Sequence, residues 1–291
     1  MLKVFRALYL FLNTAIIIAL LAIHFVYKEN SYQSSLLYYT FPLPIIILVV
    51  LFLTVFLKRK VRKFNLLIAV LLLFIWLGRS FKINLSEDIK ETDLEVVFWN
   101  ASRENNLQGA FNKNGSIPDV LVLVETGKYV IEEIQQKYPN YYFYAADREL
   151  FLFSKTPLEI RSESTSKYNT TVIDFKTAGI NFYAVDVTGS PDVPREWELG
   201  FVNENIKIKT KTILLGDFNV PYESKYFAQI KTNFNHAFNK KGNGFRETWF
   251  WNLPLLSLDH IWVSKDLKIL KTEKIGTFKS DHCMIKTYVR K

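Results

Sequence analysis

One cysteine, Cys283, stands in 291 residues, so no disulfide can form within the chain. In the apolar strand that follows Asp281-His282 it reads as a small buried hydrophobe. Histidine is nearly as scarce: His24, His236, His260 and His282 are all there are. No internal repeat and no low-complexity tract is present, which excludes a solenoid or a biased linker. Most of the chain also lacks a charge excess. Ten of the 37 basic residues and one of the 28 acidic residues lie in residues 1–83, which leaves 27 of each in residues 84–291. The pI near 9.3 therefore reports on the first 83 residues and not on a surface for nucleic acid. Duplex binders carry a basic footprint, because phosphate neutralisation supplies most of their affinity.

What the first 83 residues have is long uncharged runs. Ala7–Tyr27, Leu36–Leu57 and Phe64–Gly78 contain no formal charge over 21, 22 and 15 residues. A helix needs roughly 17–25 residues to cross a bilayer. Two runs meet this, and Arg79 and Lys82 can snorkel to lengthen the third. The first run is too long for the core of a cleaved signal, and Ile23-His24-Phe25 is a poor cleavage site. Lys58-Arg59-Lys60-Val61-Arg62-Lys63 lies between the second and third runs, and Lys3 and Arg6 precede the first. Cations concentrate on the cytoplasmic side. The expectation is three transmembrane helices in residues 1–83, with the N-terminus and the basic loop inside. A short polar linker then spans 84–93, and an extracytoplasmic domain fills 94–291.

That domain alternates. Glu95–Trp99, Val120–Glu125, Leu150–Ser154, Thr171–Phe175, Ile180–Val187, Thr212–Asp217, Leu258–Val263 and Met284–Val289 have strand length and are rich in Val, Ile, Phe and Tyr. Arg103–Asn112, Lys128–Tyr138, Glu196–Lys209 and Glu223–Phe234 read as helices. Strands with intervening helices predict an α/β fold of packed sheets flanked by helices.

Polar residues gather where these strands end. Glu125 closes Val120–Val124, and a carboxylate there needs a partner. A divalent ion suits it, since hard cations take oxygen ligands; a strand-end salt bridge is the alternative. Asn100 follows Trp99, as an ion ligand or as a turn former. Asp217 and Asn219 lie two apart, so in extended backbone both address one ligand while Phe218 turns to the core. An Asx turn over Gly216–Asn219 is the other reading. Asp259 and His260 point to opposite faces of one strand. His24 falls in an apolar run and His236 in an Asn-rich loop expected to be exposed, which leaves His282 as the acid–base candidate.

In order and chemistry, Trp99-Asn100, Val124-Glu125-Thr126, Gly216-Asp217-Phe218-Asn219, Ser257-Leu258-Asp259-His260 and Ser280-Asp281-His282 resemble the endonuclease/exonuclease/phosphatase superfamily, from about Leu94 onward. The resemblance implies the DNase I-like four-layer α/β/β/α sandwich after the transmembrane helices. It implies Mg²⁺ or Mn²⁺ on Asn100, Glu125 and Asp281. It implies catalysis by His282 oriented by Asp259, with Asp217 activating water and Asn219 bonding the phosphate. The pattern departs at Tyr183–Pro191, where many members carry a His or Tyr and this chain has Asp186. A carboxylate there repels a phosphate unless it is protonated, paired with a cation or bound to a second ion. Arg195 is the expected compensating phosphate clamp, and Trp249, in Thr248-Trp249, matches a further family feature near the substrate.

Together these readings predict a membrane-anchored, metal-dependent phosphoester hydrolase acting outside the cytoplasm. Its substrate would be a lipid head group, a small phosphoester or extracellular nucleic acid. Its partners would be that substrate and the bilayer, with nothing pointing to a protein partner. The competing reading is a catalytically weak or inactive member that serves as a membrane-bound binding module. Function lives in the site and not in the fold.

Overall fold

The computed structural model describes residues 2–103, 106–127 and 129–291, with backbone alone for Leu2 and Lys3. The expected helix ends at Glu104, Asn105 and Lys128 lie outside the described residues. The chain divides into two compact units, residues 1–81 and 82–291.

In the first unit α1 (Leu2–Leu21) runs on through a π turn, Ala22–Tyr27, and is followed by α2 (Tyr32–Thr40), α3 (Leu43–Thr54) and α4 (Arg59–Ser80). Val4–Tyr27 and Arg59–Ser80 are long and apolar enough to cross a membrane. The run expected as one helix from Leu36 to Leu57 is not one: α2 and α3 are bent by 68° where they meet. Pro42 caps α3 and Pro44 sits in its first turn. Proline disfavours helix in the residue before it and lacks the N–H to continue one. Contacts along the helices give their directions. Near the start of α1, the Tyr9 hydroxyl donates to the Leu53 carbonyl at 2.7 Å, and Asn13 accepts from Asn65 of α4 at 2.8 Å. At its other end His24 stacks on Tyr38 and Arg79 lies 5.5 Å from the Phe25 ring. So α1 and α4 run the same way, and the bent pair returns between them.

The second unit holds two six-stranded sheets. The strands of these two sheets in chain order are β1 (Leu94–Asn100), β2 (Val120–Val124), β3 (Tyr142–Ala145), β4 (Phe151–Ser154), β5 (Glu159–Thr165), β6 (Thr171–Thr177), β7 (Ile180–Asp186), β8 (Thr212–Asp217), β9 (Phe234–His236), β10 (Asp259–Ser264), β11 (Lys268–Ile275) and β12 (Met284–Arg290). One sheet has the order β11-β12-β1-β2-β4-β3, the other β9-β10-β8-β7-β6-β5. Alternate residues of β1 face opposite ways. Val96 and Phe98 join Phe175, Phe182, Leu215 and Ile261 in the core between the sheets. Val97 and Trp99 join Phe111 of α5 (Leu107–Asn114) on the outer side, where α6 (Ile131–Lys137) also packs. On the far side of the other sheet lie α7 (Arg195–Asn205) and α8 (Ala228–Asn233); Phe227, just before α8, meets Trp262 of β10 with ring centroids 5.2 Å apart. This is the α/β/β/α sandwich, and burial on both faces explains the unbroken apolar run of β2.

Residues 84–93, expected as a linker, are bonded to this unit. Asn84 donates to the Gly242 carbonyl, the Glu87 amide to the Leu270 carbonyl, and Arg290 to both carboxylate oxygens of Asp93. His236, expected exposed, is buried in β9, with Nε2 3.0 Å from Nδ1 of His260. Burial holds both rings below the usual imidazole range, His260 at about 3. They form a neutral pair in the core.

Candidate functional site

Topology brings the polar strand ends together. β1 and β2 are parallel neighbours, as are β7 and β8, so Asn100, Glu125, Asp186 and Asp217 all fall at carboxyl ends. β10 runs antiparallel to β8 with Asp259 opposite Asp217. β12 runs antiparallel to β1, which puts Asp281 and His282, just before it, beside the end of β1. Ligand sites of α/β sheets lie outside the carboxyl ends of the strands for the same reason.

The side chains form one bonded network. Nδ1 of His282 lies 2.8 Å from Oδ2 of Asp259 and 3.8 Å from Oδ2 of Asp217. Asn100 donates from Nδ2 to Oε1 of Glu125 and to Oδ2 of Asp217, each at 3.0 Å. Asp281 accepts from the Ser102 hydroxyl at 2.7 Å and from the Trp249 indole at 2.8 Å. Ser102 also donates its amide to Oδ1 of Asn100, and Ser280 donates to the Asn100 carbonyl. Thr248 accepts from the Asp259 amide and so fixes the start of β10. Ser102, Ser280 and Thr248 are the supports that strand-end reasoning passed over. Ser280 and Thr248 lie inside stretches singled out for their neighbours; Ser102 carries no local signal.

Backbone geometry aims these groups. Glu125 and Asn219 have φ of 49° and 51°. Asn219 is thus outside extended backbone, and the shared-face argument for Asp217 and Asn219 does not hold. An Asx turn forms instead, with the Asn219 amide donating to Oδ1 of Asp217 at 2.9 Å. The Asn219 carboxamide donates to the Val187 carbonyl. Non-glycine residues in this region cost energy and concentrate where a site needs them. Phe218 is buried in the core as expected.

Arg195 corrects another expectation. Its guanidinium donates to the carbonyls of Thr188, Gly189, Ser190 and Asn219. It clasps the loop after β7 and does not present a fork to an ester. An exposed cation at this end, among the described residues, is Arg103, paired with Glu149 at 2.9 Å. The Glu149 hydrogen bond, and then the charges of Glu149, Glu125 and Asp186, hold its guanidinium above the usual range. Trp249 is half-buried with its indole N–H committed to Asp281, so its polar end orients a carboxylate.

The electrostatics are those of crowded carboxylates. Burial, then the Asp217 and Glu125 charges, push half-buried Asp186 well above the usual carboxylate range. Burial and the Asp259 charge also raise Asp217, against the pull of His282 and the Asn219 and Asn100 donors. Burial opposes charge on His282, but Asp259, Asp217 and Asp281 outweigh it and raise the ring. Burial pushes Asp281 up, yet its Ser102 and Trp249 bonds and the His282 charge hold it below the usual range.

A divalent ion fits this donor set. Oδ1 of Asp259 is buried without a hydrogen-bond partner among the described residues. Among the described residues, six carboxyls, those of Glu125, Glu149, Asp186, Asp217, Asp259 and Asp281, gather with His282 and Arg103, and the carboxylate ligand atoms are oxygens, as a hard cation prefers. Asp217, Asp259 and His282 bring one potential ligand atom each within 4.8 Å of one another. The resemblance instead implies Asn100, Glu125 and Asp281. The two sets join through Asn100, which bonds both Glu125 and Asp217.

Two packed sheets between helices, with an acid–histidine cluster at the strand ends, define a DNase I-like protein. Residues 84–282 match the Endonuclease/Exonuclease/phosphatase family, and the chain belongs to it. A family protein from Bacteroides thetaiotaomicron is similar in structure, with TM-score 0.52, 15% identity, and 69% of this chain and 98% of that one covered. An AP endonuclease from Archaeoglobus fulgidus has TM-score 0.52, 16% identity and coverage of 67% and 98%. D. rerio TDP2, solved with a single-strand DNA product, has TM-score 0.50, 15% identity and coverage of 69% and 100%. No curated protein matches in sequence.

Proposed function

We propose that the protein is a membrane-anchored, divalent-metal-dependent phosphoester hydrolase whose site faces away from the cytoplasm. The observation that carries the chemistry is the His282–Asp259 pair, 2.8 Å apart, among carboxylates at the strand ends. Asp259 holds Nδ1, which leaves Nε2 to exchange a proton with the reacting ester, the orienting role an Asp plays toward His in a triad. Asp217 orients water, and Asn219, held by its Asx turn, addresses the phosphate. Asn100, Glu125 and Asp281 would hold the ion. We prefer them to Asp217, Asp259 and His282, because an ion on His282 Nδ1 would have to break the bond to Asp259. The ion supplies Lewis-acid neutralisation of the ester's non-bridging oxygens. Arg103 takes the cation role that Arg195 cannot fill. Asp186 suits a phosphate in its protonated form.

The membrane part rests on helix direction. Arg6 and the 58–63 basic cluster gather at one end, and the chain crosses the unit three times between Arg6 and Ser80. With cations inside, Ser80 lies outside and the catalytic unit follows it. Exposed Phe250, Trp251 and Leu253 lie on the loop that bonds Asp281, with the Trp251 amide donating to the Asp281 carbonyl. Such a rim and a charge-neutral unit favour a membrane-resident or small phosphoester over duplex DNA.

The test is hydrolysis of generic phosphodiesters and phosphomonoesters by the full chain in detergent. Turnover that needs Mg²⁺ or Mn²⁺, and falls by about 10²–10⁴ in His282→Ala, is expected. Wild-type turnover in His282→Ala overturns the assignment. No hydrolysis by the wild type with either ion supports the binding module.

A further inference from the structure

The first unit contains a cavity of about 430 Å³ at the end where α1 and α4 begin. Its wall is apolar, formed by Phe5, Leu10, Phe56 and Val61, and two cations, Arg6 and Lys58, line it as well. Phe5 and Phe56 are 62% and 67% exposed, so the cavity opens beside apolar outer surface. The same end is braced by Tyr9 on Leu53, and Arg62 donates to the carbonyls of Val55 and Leu57. Arg62 therefore closes the end of α3, while Arg6 and Lys58 have no carboxylate partner among the described residues. The one carboxylate in residues 1–81 is Glu29. It is at the opposite end, where the Tyr39 hydroxyl donates to it. Two cations on an apolar cavity, with no acid near them, ask for an anion that brings its own hydrocarbon.

We infer that this cavity binds an anionic phospholipid, with the headgroup phosphate on Arg6 and Lys58 and the upper acyl chain along Phe5, Leu10 and Phe56. Basic pockets between membrane helices on the cytoplasmic side hold acidic headgroups by this chemistry. A zwitterionic lipid gains less, because its own ammonium offsets the phosphate. A free phosphate lacks the chain that the apolar wall would cover. The inference rests on the membrane reading of the first unit and is independent of the hydrolase reading of the second.

The experiment uses the full chain in neutral detergent, with phosphatidylglycerol and phosphatidylcholine as probes and native mass spectrometry as the readout. Phosphatidylglycerol should be retained in preference. Arg6→Gln with Lys58→Gln should weaken its binding roughly twenty-five-fold, at about fivefold per cation. Ala7→Leu keeps both charges but fills the cavity, which Ala7 also lines, and should weaken binding too. Lys60→Gln with Lys63→Gln removes the same charge outside the lining and should leave binding intact. Metal-dependent hydrolysis by all three variants should be unchanged, which separates this site from the catalytic one. Equal loss in the Lys60/Lys63 variant overturns the inference in favour of diffuse attraction. So does equal binding of the two lipids, or displacement of phosphatidylglycerol by inorganic phosphate.

Discussion

At Glu125 a strand end, a left-handed backbone and an Asn100 hydrogen bond meet in one side chain. Glu125→Gln keeps the shape and removes the charge. If it holds the ion, the metal concentration for half-maximal hydrolysis should rise roughly tenfold or more, with turnover at saturating metal largely kept. A metal titration reads this, and an unchanged curve removes Glu125 from the ligand set. Asp93 has a structural role. The Arg290 hydrogen bonds lower its carboxyl to about 2 from an ordinary 3.8, against some burial and with help from the Lys90 amide. A depressed folded value gives stability that is full above about pH 4 and is lost as pH falls through 2. Asp93→Asn should therefore melt below the wild type at pH 7, and the gap should close toward pH 2. A gap independent of pH would mean that packing, not charge, is what Asp93 contributes.

At the level of elements, Gly216 decides whether β7 and β8 can pair. A Cβ there would sit 1.9 Å from the Val185 carbonyl oxygen, and φ is +159°. Gly216→Ala must push the parallel pair apart at the point where it presents Asp186 beside Asp217. We expect a loss of about 3 kcal/mol or more, at the upper end for single substitutions. Chemical denaturation of the full chain in detergent checks it, and a loss below 1 kcal/mol would show that the strands yield. Eight of the twelve strands in the two six-stranded sheets were legible as apolar runs. The four that were not, β3, β5, β9 and β11, are the four sheet edges. Their sequences are short or charged, as in Glu159–Thr165 and Lys268–Ile275. Edge strands pair on one side and carry charge against further pairing, so they lack the apolar signature of a central strand.

For the whole molecule, under the proposed membrane anchoring, the side of the second unit follows from how often the chain would cross a bilayer. The bent pair α2–α3 is short for a crossing, since α3 has 12 residues, about 18 Å of helix. Helix directions make it a return path between α1 and α4, so reporter fusions after Lys60 and after Asn84 should report opposite sides. Lys60 outside with Asn84 in the cytoplasm would make the pair re-entrant and move the site to the cytoplasm.

The sequence by itself determined what depends on local chemistry: the apolar spans, the central strands and the family motifs. Those signals are short-range, set by period, charge and residue type. The 68° break at Phe41-Pro42 was also local and lay in the two prolines. Only the tertiary structure decided what depends on partners distant in the chain. It buried His236 against His260, closed Arg195 on backbone carbonyls, brought Ser102 to Asp281 across 179 positions, and paired exposed Arg103 with Glu149. A hydrogen bond is satisfied by whichever group the fold brings within reach, and that reach is not written in the neighbouring residues.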